Sequence, residues 1–317
     1  MTTMDNKYKI DLSIIIVNWN LKDILRDCLN SIYEKTLGMR FEIIIVDNSS
    51  SDGSVEMVRA EFPQVKLVAS AENLGFGKAN NLALQSTTGR YIGLLNPDTV
   101  LLNDAFCMMI SKLVGEPEMG IVGPKLLASD GTVQGPCARK LATLRSEFQY
   151  LLIGRMLGPP IGTHLPPAEY DISQVVECIS GACMVMRREI LTDERIFDPQ
   201  FFMYAEDIDL CYEIVHRGWR VFYLSEALVM HYGGESVDQN PISTMHYLTI
   251  ALYRFFIKRH GKLTGYIYRG LCVVVPAVKL VVTWLIRLIP RFRRDPLWVQ
   301  RGLKYPQMIR YAITIEN

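Results

Sequence analysis

The stretch that decides the fold is Leu12-Ser13-Ile14-Ile15-Ile16-Val17, a continuous apolar run that ends in Asn18-Trp19-Asn20. A run this rich in β-branched residues predicts a strand that is buried on both faces. Helical patterns alternate along the chain with further predicted strands at 41–46, 65–69 and 91–95. This strand–helix alternation predicts an α/β fold with a mainly parallel sheet and right-handed connections.

Polar residues follow three of these predicted strands. Asn18 and Asn20 follow the first, the loop 47–54 follows the second, and the segment 96–98 follows the fourth. Ligands of open parallel sheets bind outside the carboxyl ends of the strands. The sequence therefore predicts a ligand site at this edge of the sheet.

Two acidic residues of these loops are each open to two interpretations. Asp47 can accept hydrogen bonds from a ribose or a nucleobase, while the Ser-Asp-Gly-Ser turn after it also suits a helix N-cap. Asp98 follows a rigid proline and is placed for a hard divalent cation, while a Pro-Asp type I turn explains the same residues. The sequence has no GxGxxG after its first strand and no GxxxxGK[ST], which disfavours dinucleotide and P-loop chemistry.

Three acidic residues, Glu206, Asp207 and Asp209, follow an aromatic run and open a predicted helix. The helix dipole stabilises negative charge there, so the acids are explained as first-turn residues. They are equally explained as a source of a general base, whose pKa partial desolvation can tune. Further along, His231 precedes two glycines and is open to a metal, a diphosphate or a structural role.

Composition and charge divide the chain. The seven cysteines show no CxxC spacing, and we interpret them as reduced thiols of a cytosolic protein. The N-terminus lacks an apolar segment, so no signal peptide is expected. Residues 1–253 hold 21 Lys and Arg against 31 Asp and Glu, whereas residues 254–294 hold 10 Lys and Arg and no acid. This pattern predicts a globular domain over 1–243 and a basic, apolar helical appendage over 244–317, directed at an anionic membrane surface.

The appendage contains a mostly apolar stretch over 271–289, in which Lys279, Thr283, Arg287 and Arg291 recur every four residues. A helix lying in the membrane interface fits this polar stripe, with its basic residues on anionic headgroups. A single transmembrane span is long enough but penalised by its charges, since a mid-span Lys costs about 2.5–3.5 kcal/mol. A helical hairpin packed on the domain, or at a homodimer interface, remains an alternative.

Taken together, seven segments resemble inverting family 2 glycosyltransferases of the GT-A fold, most closely their rhamnosyltransferase-like branch. These segments are 16–20, 46–54, 73–77, 95–98, 181–185, 206–210 and 231–236. Their order and spacing cover about residues 10–240 and are jointly specific. The resemblance implies a GT-A domain that uses a nucleotide-sugar donor.

The resemblance also implies roles for single residues. Asp47 is expected to bind the nucleobase of a UDP- or dTDP-sugar, and Asp98 to hold Mg²⁺ or Mn²⁺ on the diphosphate. Asp207, beside Glu206 in the family's Glu-Asp motif, is expected to deprotonate the acceptor hydroxyl. The remaining donor-site residues implied in this way are Asn18, Asn20, Ser49, Asn73, Gly75, Asn96 and His231, of which His231 is also expected to contact the metal.

The chain departs from the family pattern at two places. The first acid of the DxD motif is Asn96 here, which weakens the expected metal site. The Gln-x-x-Arg-Trp motif of processive synthases is present only as His216-Arg217-Gly218-Trp219, which favours addition of one sugar over polymerisation.

The sequence therefore predicts a bacterial, membrane-associated glycosyltransferase that works at the cytoplasmic face. It would move one sugar, with rhamnose as the candidate, to a lipid-linked glycan in surface polysaccharide or O-antigen synthesis. Two alternatives are a nucleotidyltransferase and a nucleotide-sugar-binding protein that has lost catalysis. No nucleic-acid partner is expected.

Overall fold

The structure is a computed structural model that describes residues 8–153, 163–233, 241–292 and 295–315. The chain forms two compact units, one from residues 1–141 and 164–239, the other from residues 142–163 and 240–317. Among the described residues, the first unit ends at residue 233 and the second resumes at residue 241. The second unit also takes in residues 142–163, which the sequence analysis did not expect.

The first unit is an α/β domain around a nine-stranded sheet and a small two-stranded one. The strands are β1 Leu12–Asn18, β2 Phe41–Asp47, β3 Lys66–Ala69, β4 Tyr91–Leu95, β5 Thr99–Leu101, β6 Met119–Leu127, β7 Ala138–Arg139, β8 Gln174–Val176, β9 Cys178–Ile179, β10 Cys183–Arg187 and β11 Arg220–His231. The helices of this unit are α1 Lys22–Lys35, α2 Ser54–Glu61, α3 Phe76–Leu84, α4 Ala105–Gly115 and α6 Glu206–His216.

The large sheet has the order β3-β2-β1-β4-β10-β6-β11-β5, with β8 paired to β11. Strands β1, β2, β3 and β4 are parallel, which confirms the predicted mainly parallel α/β fold. Beyond β4 the sheet is mixed, since β10 runs antiparallel to both β4 and β6. All seven residues of β1 are buried, as expected of a strand in the centre of a sheet covered on both faces.

Burial of β1 supplies much of the local stability. Ile14, Ile15 and Ile16 have no exposed surface. Burying one such side chain is worth about 1.5–3 kcal/mol relative to leaving it in water. A polar residue in this run would therefore weaken the strand whose carboxyl end carries Asn18.

Strand pairing brings distant residues to one edge of the sheet. In the parallel pair of β1 and β2, Asn18 lies opposite Asp47. The end of β11 pairs antiparallel with β5, which places His231 opposite Thr99 and next to Asp98. The pairing of β7 with β9 places Arg139 opposite Cys178.

The second unit is helical. Its helices are α5 Leu144–Ile153, α7 Pro241–His260, α8 Lys262–Arg287 and α9 Pro296–Ile313. The apolar helix predicted over 271–289 is thus longer at its start, and Pro276 lies inside it. Helix α8 is the one described helix that is long and apolar enough to cross a membrane by length and composition.

Two members of the predicted polar stripe, Lys279 and Thr283, face the interior of this unit rather than lipid headgroups, whereas Arg291 lies beyond the end of α8 and is exposed. Lys279 donates a hydrogen bond through Nζ to the carbonyl of Leu151 in α5. Thr283 is only 2% exposed. Carbonyl oxygens and close packing inside the unit thus occupy groups that the sequence pattern assigned to lipid.

Candidate active site

The first cluster of polar side chains lies at the ends of β1 and β2. Asn18 donates through Nδ2 to Asp47 Oδ1 at 2.9 Å and to Ser50 Oγ at 3.2 Å. The other carboxylate oxygen of Asp47 accepts the backbone N–H of Ser50 at 2.9 Å. Asn18 Oδ1 is buried without a hydrogen-bond partner among the described residues. A buried acceptor left open in this way is a natural partner for an N–H or O–H of a ligand.

Asn20 and Ser49, the two other residues of these loops that were expected at the nucleotide-sugar site, both have a left-handed backbone conformation. Asn20 has a positive φ of 54° and its Oδ1 accepts the N–H of Ser51 at 2.7 Å. Ser49 is exposed with a φ of 63°, and its hydroxyl lies 3.4 Å from the carbonyl of Ala71. The side-chain oxygen of Asn20 is thus occupied by a hydrogen bond within the protein, while Ser49 is accessible to a ligand.

Asn73 and Gly75 belong to a loop that touches the segment before α6. Asn73 Oδ1 accepts the N–H of Gly75 at 2.9 Å. Gly75 has φ +78°, and a Cβ atom there would lie 2.5 Å from the carbonyl oxygen of Phe202. The next residue, Phe76, donates its N–H to the same oxygen at 2.9 Å. Only glycine fits this position, because both the backbone angle and the neighbouring carbonyl exclude a side chain.

A second cluster joins Asn96, Asp98 and His231. His231 Nε2 lies 3.3 Å from Asp98 Oδ1 and 3.4 Å from Asn96 Nδ2. Gln134, which the sequence analysis missed, contacts His231 twice. Its Nε2 donates to the His231 carbonyl at 2.6 Å, and its Oε1 lies 2.8 Å from His231 Nδ1.

This second cluster fits a divalent cation that also binds substrate oxygens. Gln134 Oε1 lies within hydrogen-bond distance of His231 Nδ1, so Nε2 is the ring nitrogen that faces Asp98. Asn96 Oδ1 is also buried without a partner among the described residues. No group of three His, Cys, Asp or Glu side chains in the described parts of the chain is arranged to hold a metal. One carboxylate and one imidazole suit Mg²⁺ or Mn²⁺ when substrate phosphates complete the coordination.

A third cluster contains the acids at the start of α6. Asp207 accepts hydrogen bonds at Oδ2 from Arg139 Nη2 at 2.7 Å and from the N–H of Gly181 at 3.2 Å. Burial opposes the charge of Arg139, but the Asp207 carboxylate raises the pKa of its guanidinium well above the usual value. A buried carboxylate bound to a guanidinium in this way is a charge-assisted pair with a fixed orientation.

Glu206 is in a different state from its neighbour. Its carboxyl group is buried, and Oε2 has no hydrogen-bond partner among the described residues. Burial, followed by the charge of Asp207, raises the pKa of Glu206 to about 8. At neutral pH Glu206 therefore holds a proton while Asp207 is paired with Arg139. Adjacent acids whose surroundings differ in this way take different chemical roles.

The backbone before these acids is strained. Tyr204 and Ala205 have φ values of 70° and 59°, in the left-handed region that non-glycine residues rarely adopt. Each such residue costs roughly 1–2 kcal/mol. Strain of this kind is found at functional sites, where the surrounding structure holds the backbone in place. Here it fixes the direction in which α6 begins.

The second and third clusters are joined through the segment before β10. The N–H of Asn96 donates to the carbonyl of Ala182 at 2.8 Å. The preceding residue, Gly181, donates its N–H to Asp207. Asp98, His231 and Asp207 therefore lie at the same edge of the sheet, as do Asn18 and Asp47 at the ends of β1 and β2.

Sequence reasoning missed Gln134, Arg139 and Asn48. Asn48 connects β2 to the Asn73 loop, because its Nδ2 lies 3.3 Å from the Gly75 carbonyl and its Oδ1 accepts the N–H of Leu74. Arg139 lies on a two-residue strand and Gln134 in a turn before it. Neither segment has a periodic pattern, so the sequence held no signal for them.

Comparison with known sequences matches residues 10–243 to the family described as glycosyltransferase like family 2. Over 236 residues the chain is 26% identical to the N-acetylglucosaminyl-diphospho-decaprenol L-rhamnosyltransferase of Mycobacterium tuberculosis, covering 69% of this chain and 75% of that protein. It is 25% identical to the O-antigen biosynthesis protein RfbC of Myxococcus xanthus over 79% of this chain, but that match covers only 20% of RfbC.

Two solved structures share the fold. The mannosyltransferase PcManGT from Pyrobaculum calidifontis, in complex with GDP-Man and Mn²⁺, matches 98% of this chain and 88% of its own, with a TM-score of 0.58 and 17% identity. GalNAc-T7 with UDP, GalNAc and Mn²⁺ matches 72% of this chain and 44% of its own, with a TM-score of 0.53 and 15% identity. At these identities the likeness concerns the fold, which is of the GT-A type. The match over residues 10–243 shows that the chain belongs to glycosyltransferase family 2.

Proposed function

We propose that this glycosyltransferase is an inverting enzyme that moves one sugar from a nucleotide donor to a lipid-linked glycan. The observation that carries the proposal is the Asp207 carboxylate, oriented by Arg139 and Gly181 at the sheet edge that also holds Asp98 and His231. A positioned base and a cation site on one edge are the two parts that this reaction needs.

Asp47 and Asn18 are proposed to bind the nucleobase of a UDP- or dTDP-sugar. The carboxylate of Asp47 is held by Asn18 and Ser50, and the open Oδ1 of Asn18 offers a further acceptor. Asn20, Asn73 and Gly75 are proposed to shape the surrounding loops. The Mycobacterium tuberculosis relative is named for transfer of rhamnose, which supports dTDP-rhamnose as the donor to test first.

The cation site is proposed to consist of Asp98, His231 and the oxygen of Asn96. A bound Mg²⁺ or Mn²⁺ would offset the negative charge that develops on the departing nucleotide diphosphate. Gln134 keeps Nδ1 of His231 engaged, so that Nε2 is the nitrogen directed at Asp98. Replacement of the usual first acid by Asn96 leaves this site with one carboxylate.

Asp207 is proposed to accept the proton of the acceptor hydroxyl. The acceptor oxygen forms a bond to the anomeric carbon as the bond from that carbon to the diphosphate breaks, and the electron pair leaves with the diphosphate. Inversion would follow if base and leaving group lie on opposite faces of the sugar, as we propose. Arg139 acts on Asp207 by keeping the orientation of its carboxylate fixed.

The acceptor is proposed to be a lipid-linked glycan of a surface polysaccharide or O-antigen, so that the enzyme works at the cytoplasmic face of a membrane. The Mycobacterium tuberculosis relative is named for an acceptor on diphospho-decaprenol, and RfbC for O-antigen biosynthesis. Addition of a single sugar, rather than polymerisation, remains part of the proposal because the motif of processive synthases is incomplete in the residues before Trp219.

The test of the proposal is a thermal-unfolding panel of nucleotide sugars on the full chain, with Mn²⁺ and with a chelator. A ligand bound only by the folded state stabilises it by about 2.7 kcal/mol at 100 times its dissociation constant. We expect dTDP-rhamnose or a UDP-sugar to raise the unfolding midpoint by several degrees, and thymidine or uridine alone to raise it less. Asp47→Ala should lose the shift. The absence of a shift with every nucleotide sugar would contradict a donor site.

The Arg139–Asp207 pair makes a separate prediction for the rate of transfer. Arg139→Met removes the hydrogen bond that orients the Asp207 carboxylate, and misplacement of a reacting group by about 1 Å can cost on the order of 10²-fold in rate. We therefore expect kcat to fall by roughly that factor, while the rise in unfolding midpoint caused by the nucleotide-sugar donor persists. Arg139→Lys should restore part of kcat, because it returns a donor to Asp207.

The matched control for this prediction is Arg188→Met. Arg188 is also partly buried, but it donates to the Gly89 carbonyl and to Thr87, away from the acids. Its loss should lower the unfolding midpoint and leave kcat in place. An unchanged kcat in folded Arg139→Met protein would show that Arg139 does not act through Asp207.

A further inference from the structure

Helix α8 exposes a continuous apolar face. We call the residues Leu263, Ile267, Val274, Val278, Val281 and Leu285 the outer face of α8; their spacing places them on one side of the helix. Each is exposed, from 44% for Ile267 to 74% for Leu263. Tyr266 and Trp284 flank this face and are also exposed, at 49% and 62%.

Lys279 and Arg269 do not cover this face, because they lie on the opposite side of the helix and bind backbone carbonyls there. Lys279 binds the Leu151 carbonyl, and Thr283 is buried. Arg269 donates to the carbonyls of Ala312 and Ile313 at the end of α9. In a helix on the surface of a soluble protein the polar side faces water. In α8 the polar side instead packs on neighbouring helices, and the apolar side is exposed.

Exposure of this face is costly in water. Covering the exposed surface of these six Val, Leu and Ile side chains would remove apolar area from water and so favours association with a partner. A contiguous apolar surface of this size marks a membrane or protein contact. A membrane and a protein differ in the polar and charged groups that they need around such a surface.

The chemistry of the surroundings favours a bilayer with anionic lipids. Residues 254–294 hold ten basic residues and no acid. Lys262 and Arg291 are exposed just beyond the two ends of the face, where they can reach anionic headgroups. Tyr266 and Trp284 are residue types that concentrate at the boundary of headgroups and acyl chains. A protein partner would instead need polar groups, since protein interfaces carry about one hydrogen bond per 100–200 Å².

The one-sided character of α8 favours a helix that lies in the membrane plane. Its 26 residues reach roughly 39 Å, which is enough to span a bilayer. A span would, however, also immerse the helices that bind its polar side, including the exposed Arg310 of α9. Insertion of the outer face alone, to a depth of about 5–10 Å, leaves those charges in water.

We infer that the outer face of α8 inserts, parallel to the membrane, into the headgroup–acyl boundary of an anionic bilayer. The inference adds a surface and an orientation to the proposed action on a lipid-linked acceptor, and it rests on that proposal only for its biological setting. Binding to vesicles needs neither donor nor transfer, so the two proposals can fail independently.

The test is flotation of the full chain with vesicles of phosphatidylcholine and phosphatidylglycerol. We expect Val278→Glu combined with Leu285→Glu to lower the vesicle-bound fraction at least tenfold. The matched control is Leu37→Glu with Leu102→Glu, which places the same charges on exposed apolar residues of the other unit, at 68% and 41% exposure. The control should bind as the unchanged protein does, and both should bind pure phosphatidylcholine more weakly.

A second measurement uses the unchanged protein, so it does not depend on folding of the charged variant. Lipids brominated high on their acyl chains should quench the fluorescence of Trp284, and Trp284→Phe should remove that part of the quenching. Unaltered flotation of the charged variant would overturn the inference. The inference would also be overturned if the unchanged protein formed a dimer without lipid and the charged variant did not. In that case a second copy of the chain would cover the outer face of α8. Resistance to alkaline carbonate extraction would show a span and overturn the in-plane orientation.

Discussion

Replacing Asp207 by Asn is expected to lower the transfer rate by roughly 10²–10⁴-fold, the usual contribution of a positioned general base. The amide keeps the size of the side chain but cannot accept the proton of the acceptor hydroxyl. Donor binding should persist, because the nucleobase and diphosphate sites are proposed to lie at Asp47 and Asp98. Transfer can be measured with dTDP-rhamnose and the acceptor named for the Mycobacterium tuberculosis relative, and donor binding by the shift of the unfolding midpoint.

The Asp207→Asn substitution leaves the charge of Arg139 without its partner, which lowers stability. A buried charge that loses its partner costs about 3–5 kcal/mol, so the unfolding midpoint must be measured alongside activity. Glu213→Gln makes the same chemical change in the last turns of α6, where Glu213 contacts Arg217 at 3.8 Å, and it should leave transfer unchanged. A folded Asp207→Asn protein that retains transfer within tenfold would assign the base elsewhere.

Removal of divalent cations should abolish the stabilisation by the nucleotide-sugar donor, and Asp98→Asn should do the same in the presence of cations. The expected loss in kcat/KM is on the order of 10²–10³-fold, because a cation supplies several kcal/mol of charge stabilisation on a phosphoryl group. Returning Mn²⁺ should restore the unchanged protein but not the Asp98→Asn protein. The concentration of free Mn²⁺, followed by electron paramagnetic resonance, reports cation binding without any activity assay.

A suitable control for Asp98→Asn is Asp104→Asn, an exposed acid just before α4. It changes the net charge equally but lies outside the proposed site, so cation and donor binding should remain. Full donor stabilisation of the unchanged protein in chelator would remove Asp98 and His231 from the proposed role. It would leave the nucleobase contacts at Asp47 untouched.

The sequence predicted the parallel half of the sheet and the polar edge of the site well. Strand β1 could be identified because the run from Leu12 to Val17 is apolar apart from Ser13 and is buried throughout, and because parallel strands bring their carboxyl ends to one edge. The roles of Asp47, Asp98 and Asp207 came from the family resemblance and stay predictions. Their immediate partners were not predictable, since Arg139 and Gln134 reach the site through pairings of very short segments.

The orientation of α8 shows a different limit of sequence reasoning. The spacing of Lys279 and Thr283 correctly gives a polar and an apolar side, but it does not say which side faces outward. An ammonium group can be satisfied by a lipid phosphate or by a backbone carbonyl, and both are consistent with the pattern. Packing against α5 decides the matter, and that contact depends on residues more than 100 positions away along the chain.

The contact between Gly75 and Phe202 couples two loops of the site. One loop carries Asn73 beside the proposed nucleotide site, and the other leads into the helix that carries Asp207. No space remains between them for even a methyl group, and the Phe76 N–H is bound to the Phe202 carbonyl. A side chain gained at Gly75 would need a compensating backbone shift at Phe202. This contact therefore limits how far the Asn73 loop and helix α6 can change independently of each other as the chain acquires new substrates.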